Sequence, residues 1–197
     1  MTEDSFNEKA NNRKMKRIGN LYDRICDIDN LRLADIKARR GKLKSYGVIK
    51  HDTHQDDNLY KLQRTLLDCN YKTSKYDIFQ IYEPKERDIY RLPYYPDRIT
   101  HHAVMNVLES VWTSIFITDT YSCIKNRGIH AAAIKLSSQL YKDPTGTKYC
   151  LKLDIRKFYP SIDHLILKQI VRRKIKDSRL LILLDEIIDS VDSGVPI

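Results

Sequence analysis

The chain has 197 residues, 42% of them hydrophobic, which is enough for one large domain or two small ones sharing a core and excludes wholesale disorder. Lysine and arginine number 35 against 26 acidic residues, and the resulting +9 is spread along the chain instead of gathered in a tail. That balance suits a partner with a phosphate backbone, although charge alone fits a basic protein with no such partner equally well.

Residues 1–13 are polar, with paired asparagines, and are expected to fray. From 14 to 40 the apolar positions Ile18, Leu21, Ile25 and Ile28 recur at helical spacing, and Gly41 is the expected stop. Residues 51–68 read as a second helix with Leu59, Leu62 and Leu66 on one face. The period then changes. Residues 76–83 and 87–92 are rich in β-branched and aromatic side chains, which predicts two strands joined through Pro84, Lys85 and Glu86. Pro93 and Pro96 end the pair, and Asp97 is placed to cap a long helix carrying Ile99, Ala103, Val107, Val111 and Ile115 at every fourth position. A loop is expected over 118–127, a helix over 128–141 and a turn over 143–146. Alternation of Tyr149, Leu151, Leu153 and Ile155 predicts a strand over 148–155. Two helices close the series, near 163–175 and 178–191, the second lined by Leu180, Leu184, Ile187 and Val191. Helices and strands mix without a βαβ rhythm, so the class is α+β.

Other features restrict the chemistry. Cys26, Cys69, Cys123 and Cys150 lie far apart with no C-x-x-C pair and read as reduced thiols, not a disulfide frame or a zinc site. No apolar run approaches the roughly 20 residues of a membrane span. The N-terminal MTEDS lacks signal-peptide character, so a cytoplasmic location is expected. His51 and His54, three apart without further ligands, read as an exposed helix start instead of a metal pair. His101 and His102 are adjacent, so on a helix they point about 100° apart and cannot serve one site. No phosphate-binding P-loop, nucleophile elbow or dinucleotide fingerprint is present.

The most informative stretch is LKLDIRKFYPSID at 151–163, in which an apolar strand delivers Asp154 at its end and a tight turn with two aromatics follows. A carboxylate held rigidly at a strand end suits Mg²⁺, although an aspartate at that place is more often a turn or helix cap. The whole string resembles the motif of reverse transcriptases that supplies the first metal-binding aspartate of the palm. The resemblance implies a right-hand polymerase architecture: a helical N-terminal extension at 1–70, fingers at 71–146 and the first part of the palm at 147–197. It implies Asp154 as the catalytic carboxylate on Mg²⁺, two ions in the complete enzyme, with the Ile155 carbonyl on one of them. The backbone amides of Lys157 and Phe158 would meet the triphosphate of an incoming dNTP. Tyr159 would exclude a ribose 2′-hydroxyl, a steric discrimination that an aromatic wall supplies.

The strings EPKERDIYRLP at 83–93 and PDRITHHA at 96–103 look like the fingers of the same family, where a basic hairpin covers the triphosphate. This implies Arg87, and with it Lys85, as phosphate ligands, a task suited to a permanently charged bidentate guanidinium. DTYSCIKNRGIHA at 119–131 resembles the segment that lies against the template and implies Lys125 and Arg127 as template contacts; a solvated basic loop is the competing reading. GVPI at 194–197 resembles the opening of the next motif, with Ile197 at the nucleotide-contacting position and in the form found in diversity-generating retroelements rather than most group II intron proteins. The family's aromatic-x-Asp-Asp hairpin is not in this sequence. Asp56 and Asp57 lack the aromatic, precede Asp154 and fall in an expected helix.

Two-metal transfer needs carboxylates that hold the ions roughly 4 Å apart, which one aspartate cannot do. The expectation is therefore a piece of a longer RNA-directed DNA polymerase, inactive by itself, whose partners are an RNA template, a DNA or RNA primer and dNTP. The alternatives are a non-catalytic RNA-binding module derived from a reverse transcriptase and a basic structural protein with accidental matches.

Overall fold

The computed structural model describes residues 17–191. The helix read over 14–40 is two helices, α1 (Tyr22–Cys26) and α2 (Ile28–Ala38). The division falls at Asp27, whose extended backbone breaks the run while its carboxylate accepts from the Asp29 and Asn30 amides at 2.8 and 3.4 Å. Gly41 follows the end of α2 in the left-handed conformation, φ +71°, which only glycine adopts without cost. The second expected helix is also split, into α3 (Tyr46–Asp52) and α4 (Gln55–Leu67), with Thr53 and His54 between them. Leu59, Leu62 and Leu66 are buried, as their spacing requires, and α4 packs on both α1 and α2, whose Ile25, Leu31 and Ala34 are fully buried. Each large aliphatic buried this way contributes about 1.5–3 kcal/mol.

The predicted hairpin forms as β1 (Asp77–Ile81) and β2 (Arg87–Arg91), antiparallel, with Asp77 opposite Arg91 and Ile81 opposite Arg87. Its strands are largely exposed and are held by cross-strand contacts. Arg91 pairs with Asp77 and lies over the Phe79 ring at 5.1 Å, and Gln80 donates to Asp88 at 3.1 Å. A helical turn, Tyr94–Arg98, leads into α5 (Ile99–Thr113). Asp97 does not cap it. Its buried carboxylate accepts instead from the Tyr71 hydroxyl at 2.7 Å and the Ser74 amide at 3.0 Å, fastening the strand approach to the start of α5. Ile99, Ala103, Val107 and Val111 are buried, but Ile115 lies past the end of α5 and is exposed.

The C-terminal helices return to the N-terminal ones. Ile18 bridges Ile175 through backbone hydrogen bonds of 2.8 Å, the Ile18 amide donating to the Lys174 carbonyl and the Lys176 amide to the Ile18 carbonyl. Helices α6 (Ile129–Lys142), α7 (His164–Lys174) and α8 (Ser178–Asp189) complete the set. One carboxylate starts two helices distant in sequence. Asp177 accepts from the Leu21 and Tyr22 amides at 2.8 and 3.0 Å and from the Leu180 amide of α8 at 3.3 Å. In α8 the buried side chains are Leu180 and Leu183; Leu184 and Ile187, expected on that face, are only half-buried.

The architecture is α+β, mostly helical with a two-stranded sheet among the described residues. Packing divides it into two compact units, one of residues 17–106 with 159–191 and the other Val107–Phe158. These units are defined by contacts, whereas the segments 1–70, 71–146 and 147–197 follow motifs, so the two divisions measure different things. In the second unit the strand expected at 148–155 does not form. A ladder needs a neighbouring strand, and none lies beside it among the described residues. Its alternating apolar residues are left outside: Tyr149 is 95% exposed, Leu151 82%, Leu153 80% and Ile155 66%. Helix α6 likewise buries no residue and exposes Ile134, Leu136 and Leu140. No described helix is long and apolar enough to cross a membrane.

Candidate functional site

The residues singled out in the sequence fall in both units. In the first unit, β2 opens at Arg87, and Lys85 lies in the turn just before it. Both side chains are exposed, and neither has a hydrogen-bond or ion-pair partner among the described residues. The contrast with Arg91, four residues along the same strand and neutralised by Asp77, is informative. Glu83, Glu86 and Asp88 lie at the same end of the hairpin, so its tip is of mixed charge, yet none of the three forms an ion pair with Lys85 or Arg87 among the described residues. An unpaired guanidinium keeps all five donors for a ligand.

In the second unit, Asp154 is solvent-exposed and not sealed in an apolar core. It precedes a turn over 156–158 in which Lys157 takes φ +49°. A left-handed residue in a turn is the device by which successive amide N–H groups are aimed to one side, as in anion-binding nests. Phe158 is half-exposed, and Ile155 has its side chain in solvent. Tyr159, which begins a short helical turn Tyr159–Ser161, is 79% exposed and belongs to the first unit. Ile197 lies outside the described residues. Among the described residues no group of three or more histidine, cysteine, aspartate or glutamate side chains gathers as a cation site. A hard divalent ion takes six or more oxygens and a pair of ions needs shared carboxylates. The described residues therefore do not fit a two-ion site; Asp154 offers one ligand to it.

The loop of Lys125 and Arg127 is a tight turn, closed by the Arg127 amide on the Ile124 carbonyl at 3.0 Å, with Cys123 and Asn126 at φ +57° and +64°. Lys125 is exposed, whereas Arg127 is half-buried with one buried nitrogen lacking a partner. Nearby, Asp119 takes Lys135 and, at 2.9 Å, the Tyr121 hydroxyl; the Lys135 contact holds the Asp119 carboxyl below its usual range.

The histidines depart from expectation. His51 is not an exposed helix start. It sits in the last turn of α3 with its side chain fully buried, because the split between α3 and α4 turns it inward. There it stacks on Tyr95 at 5.5 Å and lies 3.6 Å from the buried Asp35. Burial pushes its pKa down, so it is neutral near pH 7. Asp35 is the hub of this cluster, accepting from Arg39 at 2.6 Å, Gln55 at 2.7 Å and the Tyr94 hydroxyl. Sequence reasoning missed it, since Asp35 stands in a run of α2 residues that reads as a solvated face; only its burial distinguishes it. His101 and His102 are both half-buried, and burial lowers the pKa of each.

Together these features define an α+β protein with two unpaired cations, Lys85 and Arg87, at an exposed hairpin tip and, in a separate unit, an exposed carboxylate before a turn with a left-handed residue. No family model matches the chain. It is similar to Protein YkfC of Escherichia coli (strain K12), 29% identical over 109 residues. That match covers 53% of this chain and 29% of YkfC, so the chain spans less than a third of that protein's length.

Proposed function

We propose that this chain is the fingers and first palm segment of a reverse transcriptase, whose complete enzyme synthesises DNA on an RNA template. The observation that carries the reading is the ordered string from Leu151 to Asp163, with Asp154 exposed and followed by a left-handed turn at Lys157. Two features support it. The hairpin leaves Lys85 and Arg87 without acidic partners, as a triphosphate clamp requires. The segment carrying Asp154 alternates like a strand yet exposes its apolar side chains, which fits a palm strand that packs against further polypeptide.

In this reading Asp154 would supply one carboxylate to the magnesium site of the complete enzyme, where the ions would offset the charge that develops in nucleotidyl transfer. By the resemblance, Arg87 and Lys85 take the role of phosphate ligands, the Lys157 and Phe158 amides that of donors to a triphosphate, Tyr159 that of the wall against a ribose 2′-hydroxyl, and Ile197 that of a nucleotide contact. Lys125 and Arg127 lie along the template. Gripping a nucleic-acid duplex through such cations makes binding fall steeply with salt.

The test is primer extension on an RNA template by the longest product of the reading frame, comparing Asp154→Asn with the parent. Loss of one metal-binding carboxylate removes several kcal/mol of transition-state stabilisation, so synthesis is expected to fall about 10³-fold. Undiminished synthesis by the variant refutes the metal role. RNA binding without any synthesis in the parent, unchanged by Asp154→Ala, gives the non-catalytic RNA-binding module instead.

A further inference from the structure

A cavity of about 1010 Å³ opens in the first unit between α3 and the chain that runs from the end of β2 through the Tyr94–Arg98 turn. None of its lining residues belongs to the site proposed above. The charges on its walls have one sign, Lys42, Lys50, Arg91 and Arg98, with no aspartate or glutamate among them. The neighbouring acids are already engaged. Asp77 holds Arg91, and Asp35 and Asp52 hold Arg39 at 2.6 and 2.9 Å. Lys42, Lys50 and Arg98 are thus left without an acidic partner among the described residues.

Aromatic surface sits between these cations. Tyr46, the first residue of α3, is 79% exposed at the cavity wall, and Tyr95 is backed by its stack on the buried His51. The backbone is shaped to match. A Cβ on Gly47 would lie 2.8 Å from the Tyr94 Cβ, so the glycine permits the close approach that seats α3 against the turn. Unpaired cations beside aromatic faces, with acids excluded, match a phosphate joined to a planar base.

We infer that this cavity binds a nucleotide unit, its phosphate on Lys42, Lys50 and Arg98 and its base against Tyr46. The inference does not rest on the polymerase reading, since any strand or free nucleotide meets the same groups. A strand has the advantage that successive phosphates reach cations spread along the walls.

The experiment measures fluorescence anisotropy of a labelled oligo(rA) strand of about ten nucleotides with the 197-residue chain, at salt from about 50 to 200 mM. Stacking losses predict that Tyr46→Ala weakens binding about five-fold or more. Lys42→Ala with Lys50→Ala reduces the slope of log affinity against log salt by about 1.4, one single-strand counterion release per lysine. Lys61→Ala, on the exposed face of α4, is the charge-matched control and leaves affinity unchanged. Displacement of the strand by unlabelled AMP identifies a single nucleotide as sufficient, and displacement only by unlabelled oligo(rA) identifies a strand; both support the site. Parental affinity in the Tyr46→Ala chain, or inorganic phosphate displacing as well as oligo(rA), overturns it. So does a loss in Lys61→Ala equal to that in either cavity lysine.

Discussion

Replacing Asp35 by alanine is the most direct way to test what holds the N-terminal helices together. The side chain is fully buried and accepts from Arg39, Gln55 and Tyr94, whose hydroxyl also donates to the Asp35 backbone carbonyl at 3.0 Å. Breaking a buried ionic network by removing one partner costs about 3–5 kcal/mol, because the remaining charges stay desolvated. Arg39 keeps Asp52 at 2.9 Å and is largely but not fully buried, so the expected cost is at the lower end, about 3 kcal/mol. For a chain of this size that corresponds to a fall in Tm of about 6–12 °C. Tyr94→Phe removes one donor and should cost about 1 kcal/mol, and the double variant should cost less than the sum, since the two share a contact. The assay is urea unfolding followed by circular dichroism, with all three variants in a double-mutant cycle. Unfolding of Asp35→Ala within 1 kcal/mol of the parent, or strict additivity with Tyr94→Phe, would falsify the idea that this carboxylate organises α2, α3 and the Tyr94–Arg98 turn.

Asp177→Ala should cost about 2 kcal/mol, roughly one lost cap for each of the two helix starts it serves; a loss below about 0.5 kcal/mol in urea titration would show that Leu21 and Tyr22 do not depend on it. Stability should also fall in mild acid. His51, His101 and His102 all have folded pKa values pushed below the ordinary value, chiefly by burial, so the unfolded chain binds protons first. Their contribution is complete above about pH 6.5 and is lost as the pH drops through that value towards the folded pKa. Burial acts to raise the Asp177 pKa, but the hydrogen bonds donated by the Tyr22, Leu21 and Leu180 amides outweigh it, so this carboxylate adds a second loss at lower pH. A Tm that is flat from pH 7.5 to about 5 contradicts the histidine argument.

Much of the local structure is dictated by periodicity. The buried stripe of Leu59, Leu62 and Leu66 and the hairpin of β1 and β2 follow from spacings of 3.6 and 2 together with turn chemistry. Asp163 and Asp177 are a capping residue type at the expected helix starts, and their carboxylates do cap; Asp27 caps as well, but inside a stretch whose spacing read as one unbroken helix. The string around Asp154 and the cations of the hairpin are equally visible in the residues alone. Alternation at 149–155, by contrast, specifies which side chains share a face but not that a partner strand is present, and without a ladder the strand does not form. Tertiary packing decided the rest. It took Asp97 from a helix cap to a buried anchor for Tyr71 and Ser74, and turned His51 inward. Asp35 and Asp52 were drawn onto Arg39, which left Lys42, Lys50 and Arg98 unpaired around the cavity. The physical reason is that pattern along a chain fixes local conformation and facing, while burial and charge pairing depend on neighbours remote in sequence.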